Sequence, residues 1–313
     1  MRIMLDDGHK SEVEQKGHGL QRAALLALLR VLARHGKKYQ DRPTPIFLVG
    51  EFESFLHPYA QRQLGRVLST LVERYQIVTS THSPFMVTPG TIEGYRRVRK
   101  DSAVGTKSTA PDPATVDLPL MSRLLEVRGN LEGLFADRVI LVEGSHDENF
   151  YRRIKGSFQV SDPQGKFVIL VKVYGKQDLR KARAFYRQLG FDDVAIVCDL
   201  DCVFGGDARN LYKELGIDPG LVDRFRTHIG WTTTNDPKLD VVVQGIAQRG
   251  TPAAFQRVLA ELEKQRIFVL PRGAPEMYYA VAGAGKEGWK QVNTETDLVD
   301  VDYLRNLIGR LFQ

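Results

Sequence analysis

The chain has 313 residues, room for two ordinary domains, and 42% of them are hydrophobic, which supports packed cores and excludes a disordered chain. No apolar run is long enough to span a membrane, because Arg30 interrupts the Leu-rich segment 23–32. Residues 1–7 lack an apolar signal region, and two cysteines cannot build a disulfide framework, so a cytoplasmic location is the expectation. A net charge of +6 is compatible with a polyanionic partner but identifies none.

In chain order, Lys16-Gly17-His18-Gly19-Leu20-Gln21-Arg22 leads into a helix predicted from Ala23 to His35, with Gly36 as its C-cap. Two glycines ahead of a helix leave its first amides free for a phosphate, although a plain turn has the same signature. Ile46-Phe47-Leu48-Val49-Gly50-Glu51 reads as a buried strand closing on an acid. Leu56-His57-Pro58 and a helix over 59–74 follow, and Gln76 to Phe85 reads as a second buried strand, ending in His82.

That order resembles the second half of an ABC-type ATPase head, of the branch that contains recombination and chromosome-structure ATPases. The resemblance implies a signature motif at Gly17, Gly19 and Gln21, and a D-loop at Leu56-His57-Pro58. It also implies a water-polarising glutamate at Glu51 and a switch histidine at His82. Two departures stand out. Gly50 occupies the place of the Mg²⁺-liganding acid, and no G-x-x-x-x-G-K-[ST] is present: Gly105-Thr106-Lys107-Ser108 lacks the spacing, and Gly175-Lys176 continues with Gln177. Nucleotide binding by Gly17, Gly19, Gln21, Glu51 and His82 is therefore expected only with a P-loop half supplied. ATP is expected only in a longer protein, of which this chain would be the C-terminal portion.

Residues 88–118 mix charge, Gly, Pro and Thr without periodicity and read as a linker, with Tyr95–Arg99 a short strand of basic, solvated edge. A helix is predicted over 118–134. Strands and helices then alternate: Arg138–Val142, a helix through Phe150, Tyr151 and Ile154, Phe167–Val173, a helix over 179–189, and Val194–Cys198. This alternation predicts a parallel sheet with right-handed crossovers. Beyond the carboxyl ends of its strands would stand Glu143, Asp199 and Asp201, with Asp147 and Glu148 close by in sequence. So many carboxylates repel one another unless a hard divalent cation such as Mg²⁺ joins them. Of the loop residues, His146 reads as exposed, Glu148 as solvent-facing, and Lys176 as a helix-start residue more than a phosphate contact.

Glu143-Gly144-x-x-Asp147, Gly175-Lys176 and Asp199-x-Asp201 resemble the Toprim domain of OLD-family (overcoming lysogenization defect) nucleases, and the ABC-like half in front matches the same architecture. Residues 203–265 read as an inserted helical subdomain, as in the OLD class paired with a UvrD-like helicase. The sheet resumes at Ile267–Leu270. The expected fold is α/β: the C-terminal part of an ABC-type head over 1–100, a connector over 101–136, and a Toprim domain over 137–313.

The resemblance implies an Mg²⁺- or Mn²⁺-dependent DNA endonuclease, with two ions roughly 4 Å apart held by Glu143, Asp147, Asp199, Asp201 and Glu276. Gly144 would admit the phosphate backbone, and Lys286, or next Lys290, would stabilise the reacting phosphate. DNA is the expected partner, together with a UvrD-like helicase and a second copy paired through the ATPase head. The alternative is an ATP-gated, DNA-binding recombination- or repair-type ATPase fragment with Toprim as a non-catalytic scaffold. A topoisomerase is disfavoured, since Tyr151, Tyr174 and Tyr186 lack a nucleophile's context. The purified chain should not turn over ATP in a phosphate-release assay; robust turnover would refute the ATPase-half reading.

Overall fold

The computed structural model describes residues 3–35, 46–160, 165–280 and 285–312. Two compact units result, Met1–Ile92 and Glu93–Gln313. In the first, strands β1 (Met4–Asp6) and β2 (Lys10–Glu12) form an antiparallel hairpin that three-residue strands leave invisible to periodicity. Helix α1 (His18–His35) starts ahead of the predicted Ala23 and takes in Gly19; Gly36 lies outside the described residues. Strands β3 (Ile46–Gly50) and β4 (Gln76–Ser80) pair in parallel through helix α2 (Pro58–Leu71).

Pro58 at the first helical position and the His57 ring, which accepts from the Tyr59 amide at 3.3 Å, start α2. Its Leu64, Leu68 and Leu71 recur at helical spacing and bury against Leu26, Phe52, Tyr75 and Met86. The sequence reading made β3 and β4 buried strands. Only one face is covered: Leu48 is 78% and Val78 60% exposed.

The second unit opens with a hairpin, β5 (Arg97–Asp101) and β6 (Gly105–Thr109), inside the stretch that composition reads as linker. The expected solvated basic edge is instead stitched down. The Arg97 guanidinium lies 3.6 Å from the Phe191 ring centroid and donates to the carbonyls of Gly190 and Ala136. The single helix predicted over 118–134 is broken. Helix α3 (Leu118–Glu126) stops at Val127, whose ψ of 114° is extended, and α4 (Arg128–Leu131) is one turn.

Strands β7 (Arg138–Val142), β8 (Val168–Lys172), β9 (Val194–Cys198) and β10 (Ile267–Val269) form the predicted parallel sheet, in the order β10-β9-β7-β8. Helices α5 (Ser145–Ser157) and α6 (Lys176–Gln188) cross over. Helices α7 (Gly206–Glu214), α8 (Leu221–His228), α9 (Leu239–Arg249) and α10 (Phe255–Lys264) occupy the expected insertion. Helix α11 (Val301–Phe312) closes the chain against α5, with Leu304, Ile308 and Leu311 beside Ile140, Phe150 and Ile154. Val139 to Val142 are fully buried, which contributes about 1.5–3 kcal/mol for each large aliphatic side chain. No helix among the described residues is long and apolar enough to cross a membrane.

At the sheet edge Asn130, 2% exposed, acts as a strand partner for the end of β8. Its amide donates to the Lys172 and Leu124 carbonyls at 2.8 Å, and its oxygen accepts the Lys172 amide at 3.1 Å. Asn130→Ala strands these buried groups and should cost about 2–3 kcal/mol in urea denaturation.

Candidate active site

The carboxyl ends of the four parallel strands face an open cavity of about 750 Å³. Glu143 follows β7 directly, Asp199 follows β9, Lys172 ends β8, and Glu276 comes seven residues after β10. All four line the cavity, as do Gly144, His146 and Asp147 from the start of α5, Gly175 from the start of α6, and Lys286. Leu239 and Asp240, at the start of α9, bring the inserted helices to its rim.

Gly144 has φ −161°, an extended conformation open to any residue, and an added Cβ would stand 3.7 Å from the Asp147 carboxylate. Its backbone amide donates to Asp147 Oδ2 at 3.0 Å, which fixes that acid at the helix start. Gly175 is the position that needs glycine. Its φ is +137°, and a Cβ there would come within 2.8 Å of the Gln177 side chain.

The electrostatics record the crowding. Burial first, then Asp147, Glu143, Asp201 and Glu276, push the Asp199 carboxyl up to about 9. Burial, then Asp147 and Asp201, also raise Glu143, against the pull of Lys176 and Lys286. Asp147 is raised chiefly by burial. Glu276 goes the other way, lowered first by the His146 imidazole beside it.

Asp201 points elsewhere: its Oδ2 pairs with Lys176 Nζ at 2.8 Å, and it is not on the cavity wall. Lys176 is thus the ion-pair partner of Asp201. Lys290 pairs with Glu287 and does not line the cavity, whereas Lys286 does.

Two sequence readings are corrected. His146 is half-buried, its Nε2 3.4 Å from Glu276 Oε2, because the first turn of α5 tucks it toward the loop after β10. Glu148 is half-buried between Lys172, at 3.1 Å, and Arg152, at 3.0 Å. Sequence reasoning missed Lys172 and Asp240. Lys172 had a signal, as a lysine closing an aliphatic strand; Asp240 had none, since only the folded insertion brings it near.

Among the described residues, no three carboxylate, imidazole or thiol groups stand ready together to hold a metal ion. The donor chemistry nonetheless fits one. These are hard oxygen ligands, and the proton Asp199 retains offsets charge that a divalent cation could balance instead.

In the first unit, His82 Nε2 and Glu51 Oε1 stand 3.2 Å apart, both exposed, and Glu51 holds a left-handed φ of 43°. The Gly17 carbonyl accepts the Leu20 and Gln21 amides, which opens α1. The Gln21 side chain turns back to the Lys16 and Glu14 carbonyls, at 2.7 and 3.2 Å, and Gly19 lies close to the Phe55 carbonyl.

Residues 134–201 match the "Overcoming lysogenization defect protein-like, TOPRIM domain" family, and residues 2–87 match the "AAA ATPase domain" family. The chain carries an OLD-type TOPRIM domain. It is similar to the Old nuclease of Escherichia phage P2, 26% identical over 208 residues, or 63% of this chain and 35% of that protein. The OLD nuclease of Thermus scotoductus is 30% identical over 173 residues, 52% of this chain and 31% of that protein. The chain thus spans about a third of the length of the curated relatives it matches. The TOPRIM match covers Glu143 to Asp201 and stops short of the insertion, Glu276 and Lys286.

Asp199 carries a testable linkage. Its folded pKa lies above that of an unfolded aspartate, so its contribution to stability is greatest in acid and is lost as pH rises from about 4 toward 9. Without metal, Asp199→Asn should melt higher than the parent by several degrees at pH 8, at about 2–4 °C per kcal/mol. The gap should shrink toward pH 5 in thermal scans with EDTA. A gap independent of pH would contradict the burial of charge at this position.

Proposed function

We propose that this chain belongs to an OLD-type nuclease, and that its TOPRIM domain hydrolyses DNA phosphodiesters with two divalent cations, Mg²⁺ or Mn²⁺. The reading is supported above all by one observation. Glu143, Asp147, Asp199 and Glu276 meet at one cavity beyond the sheet, in an environment that pushes Asp199 up to about 9. Cations bound there would activate water and stabilise the leaving oxygen.

The chain's own residues have distinct tasks in this reading. Glu143 and Asp199, fixed at adjacent strand ends, would hold the cations. Glu143 is alternatively placed to take the proton of the attacking water. Asp147, anchored by the Gly144 amide, and Glu276 supply the flanking carboxylates. Asp201, paired with Lys176 and off the cavity wall, would join the set only by giving up that ion pair. Lys286, exposed at the cavity, stabilises charge on the reacting phosphate, a role Lys290 is less placed to fill because it pairs with Glu287. Gly144, without a side chain on the cavity wall, leaves room for the phosphate.

Glu51 and His82, already facing each other, would sense nucleotide together with Gly17, Gly19 and Gln21 once a P-loop half is supplied, and so gate the nuclease. The proposal takes DNA as substrate and requires neither a helicase nor a second copy.

Supercoiled plasmid incubated with the purified chain in a Mg²⁺ and Mn²⁺ series should be nicked or linearised, and EDTA should stop the reaction. Glu143→Ala and Asp199→Ala should each lower the rate at least 100-fold with the far-UV spectrum unchanged. Full activity in either variant sinks the assignment. Plasmid binding without cleavage in any metal would favour the scaffold alternative.

A further inference from the structure

The Glu276 side of the cavity differs in chemistry from the rest. Here the first turn of α5 brings an imidazole among the carboxylates. His146 Nε2 is buried and lies 3.4 Å from Glu276 Oε2, but it is not aligned for a hydrogen bond and has no other partner among the described residues. Its side chain is 18% exposed, so water has little access to that nitrogen. A second polar group beside it is similarly unmatched. Tyr279, 7% exposed, packs its ring edge-to-face against His146, with centroids 6.5 Å apart, and its buried hydroxyl makes no well-formed hydrogen bond. Burial, then the charges of Glu276 and Asp147, hold that hydroxyl protonated.

Buried polar atoms without a well-formed hydrogen bond carry a cost, and two together beside a carboxylate pair indicate a ligand that the side chains were shaped to meet. The donor set decides its class. Oxygen alone suits Mg²⁺ and Ca²⁺, whereas an imidazole nitrogen paired with carboxylate oxygen shifts preference toward divalent transition ions.

We infer that His146 selects the metal: with Glu276 it forms a mixed nitrogen–oxygen position for a divalent transition ion of the Mn²⁺ or Co²⁺ type, in preference to Mg²⁺. This rests on the nuclease reading for its setting and assigns that site a preference the carboxylates alone do not give. His146 touches the cation and leaves the attacking water to Glu143.

The test uses the full chain and reads metal binding directly. With Mn²⁺ bound, electron spin echo modulation should show coupling to a directly coordinated imidazole nitrogen, and His146→Gln should remove it. Calorimetric titration with MnCl₂, CoCl₂ and MgCl₂ should show that His146→Gln weakens Mn²⁺ and Co²⁺ at least about tenfold while Mg²⁺ changes less than threefold. A thermal melt matching the parent's confirms the variant is folded; if it is not, the nitrogen coupling in the unaltered chain still decides. Mn²⁺ held without nitrogen coupling, or equal losses for all three ions, overturns the role of His146 and leaves the nuclease reading standing. Failure of the unaltered chain to bind any of the three overturns both.

Discussion

Carboxylates do not gather of their own accord. In this domain they are held together by a parallel sheet whose strands all end on the same side, with cores too apolar to slip. Val139 to Val142 and Val194 to Val197 are buried on both faces, so moving either strand by one residue would send Glu143 or Asp199 inward. Every other feature of the cavity follows from that fixed edge. Burial of these acids, and then their mutual repulsion, is a cost the fold absorbs through its hydrophobic layers; both raise the Asp199 carboxyl.

Cations of the chain's own are arranged around that acid cluster. Lys176 covers Asp201, Lys172 and Arg152 share Glu148, and Lys286 stands at the open side. Deeper in the fold the same balance is struck structurally. Arg138 and Arg266 both pair with Asp193 beneath the sheet, and Arg138 also caps the Leu311 carbonyl of α11.

The sheet of the second unit was legible in the sequence because runs such as Val139-Ile140-Leu141-Val142 have no other stable place than a doubly covered strand. Glu143 and Asp199 were legible for the same reason, since each follows such a run directly. What the sequence concealed depends on contacts far along the chain. Arg97 looks like a solvated strand residue until Phe191 comes under it, and Asn130 looks like a helix residue until it meets the edge of β8. His146 read as an exposed loop residue because Glu276 lies 130 positions away, beyond an insertion that no local pattern can bridge. Strand order and the rim contributed by Leu239 and Asp240 were closed to sequence reasoning on the same ground.

The Asn130 clamp also bears on assembly. Strand β8 is an outer strand, and such strands invite a neighbouring chain to add itself by backbone pairing. Asn130 already occupies both the donor and the acceptor of Lys172, the last β8 residue before the cavity. An intruding strand would have to displace a buried amide to reach that end, so the rim of the cavity is closed to sheet extension from this side.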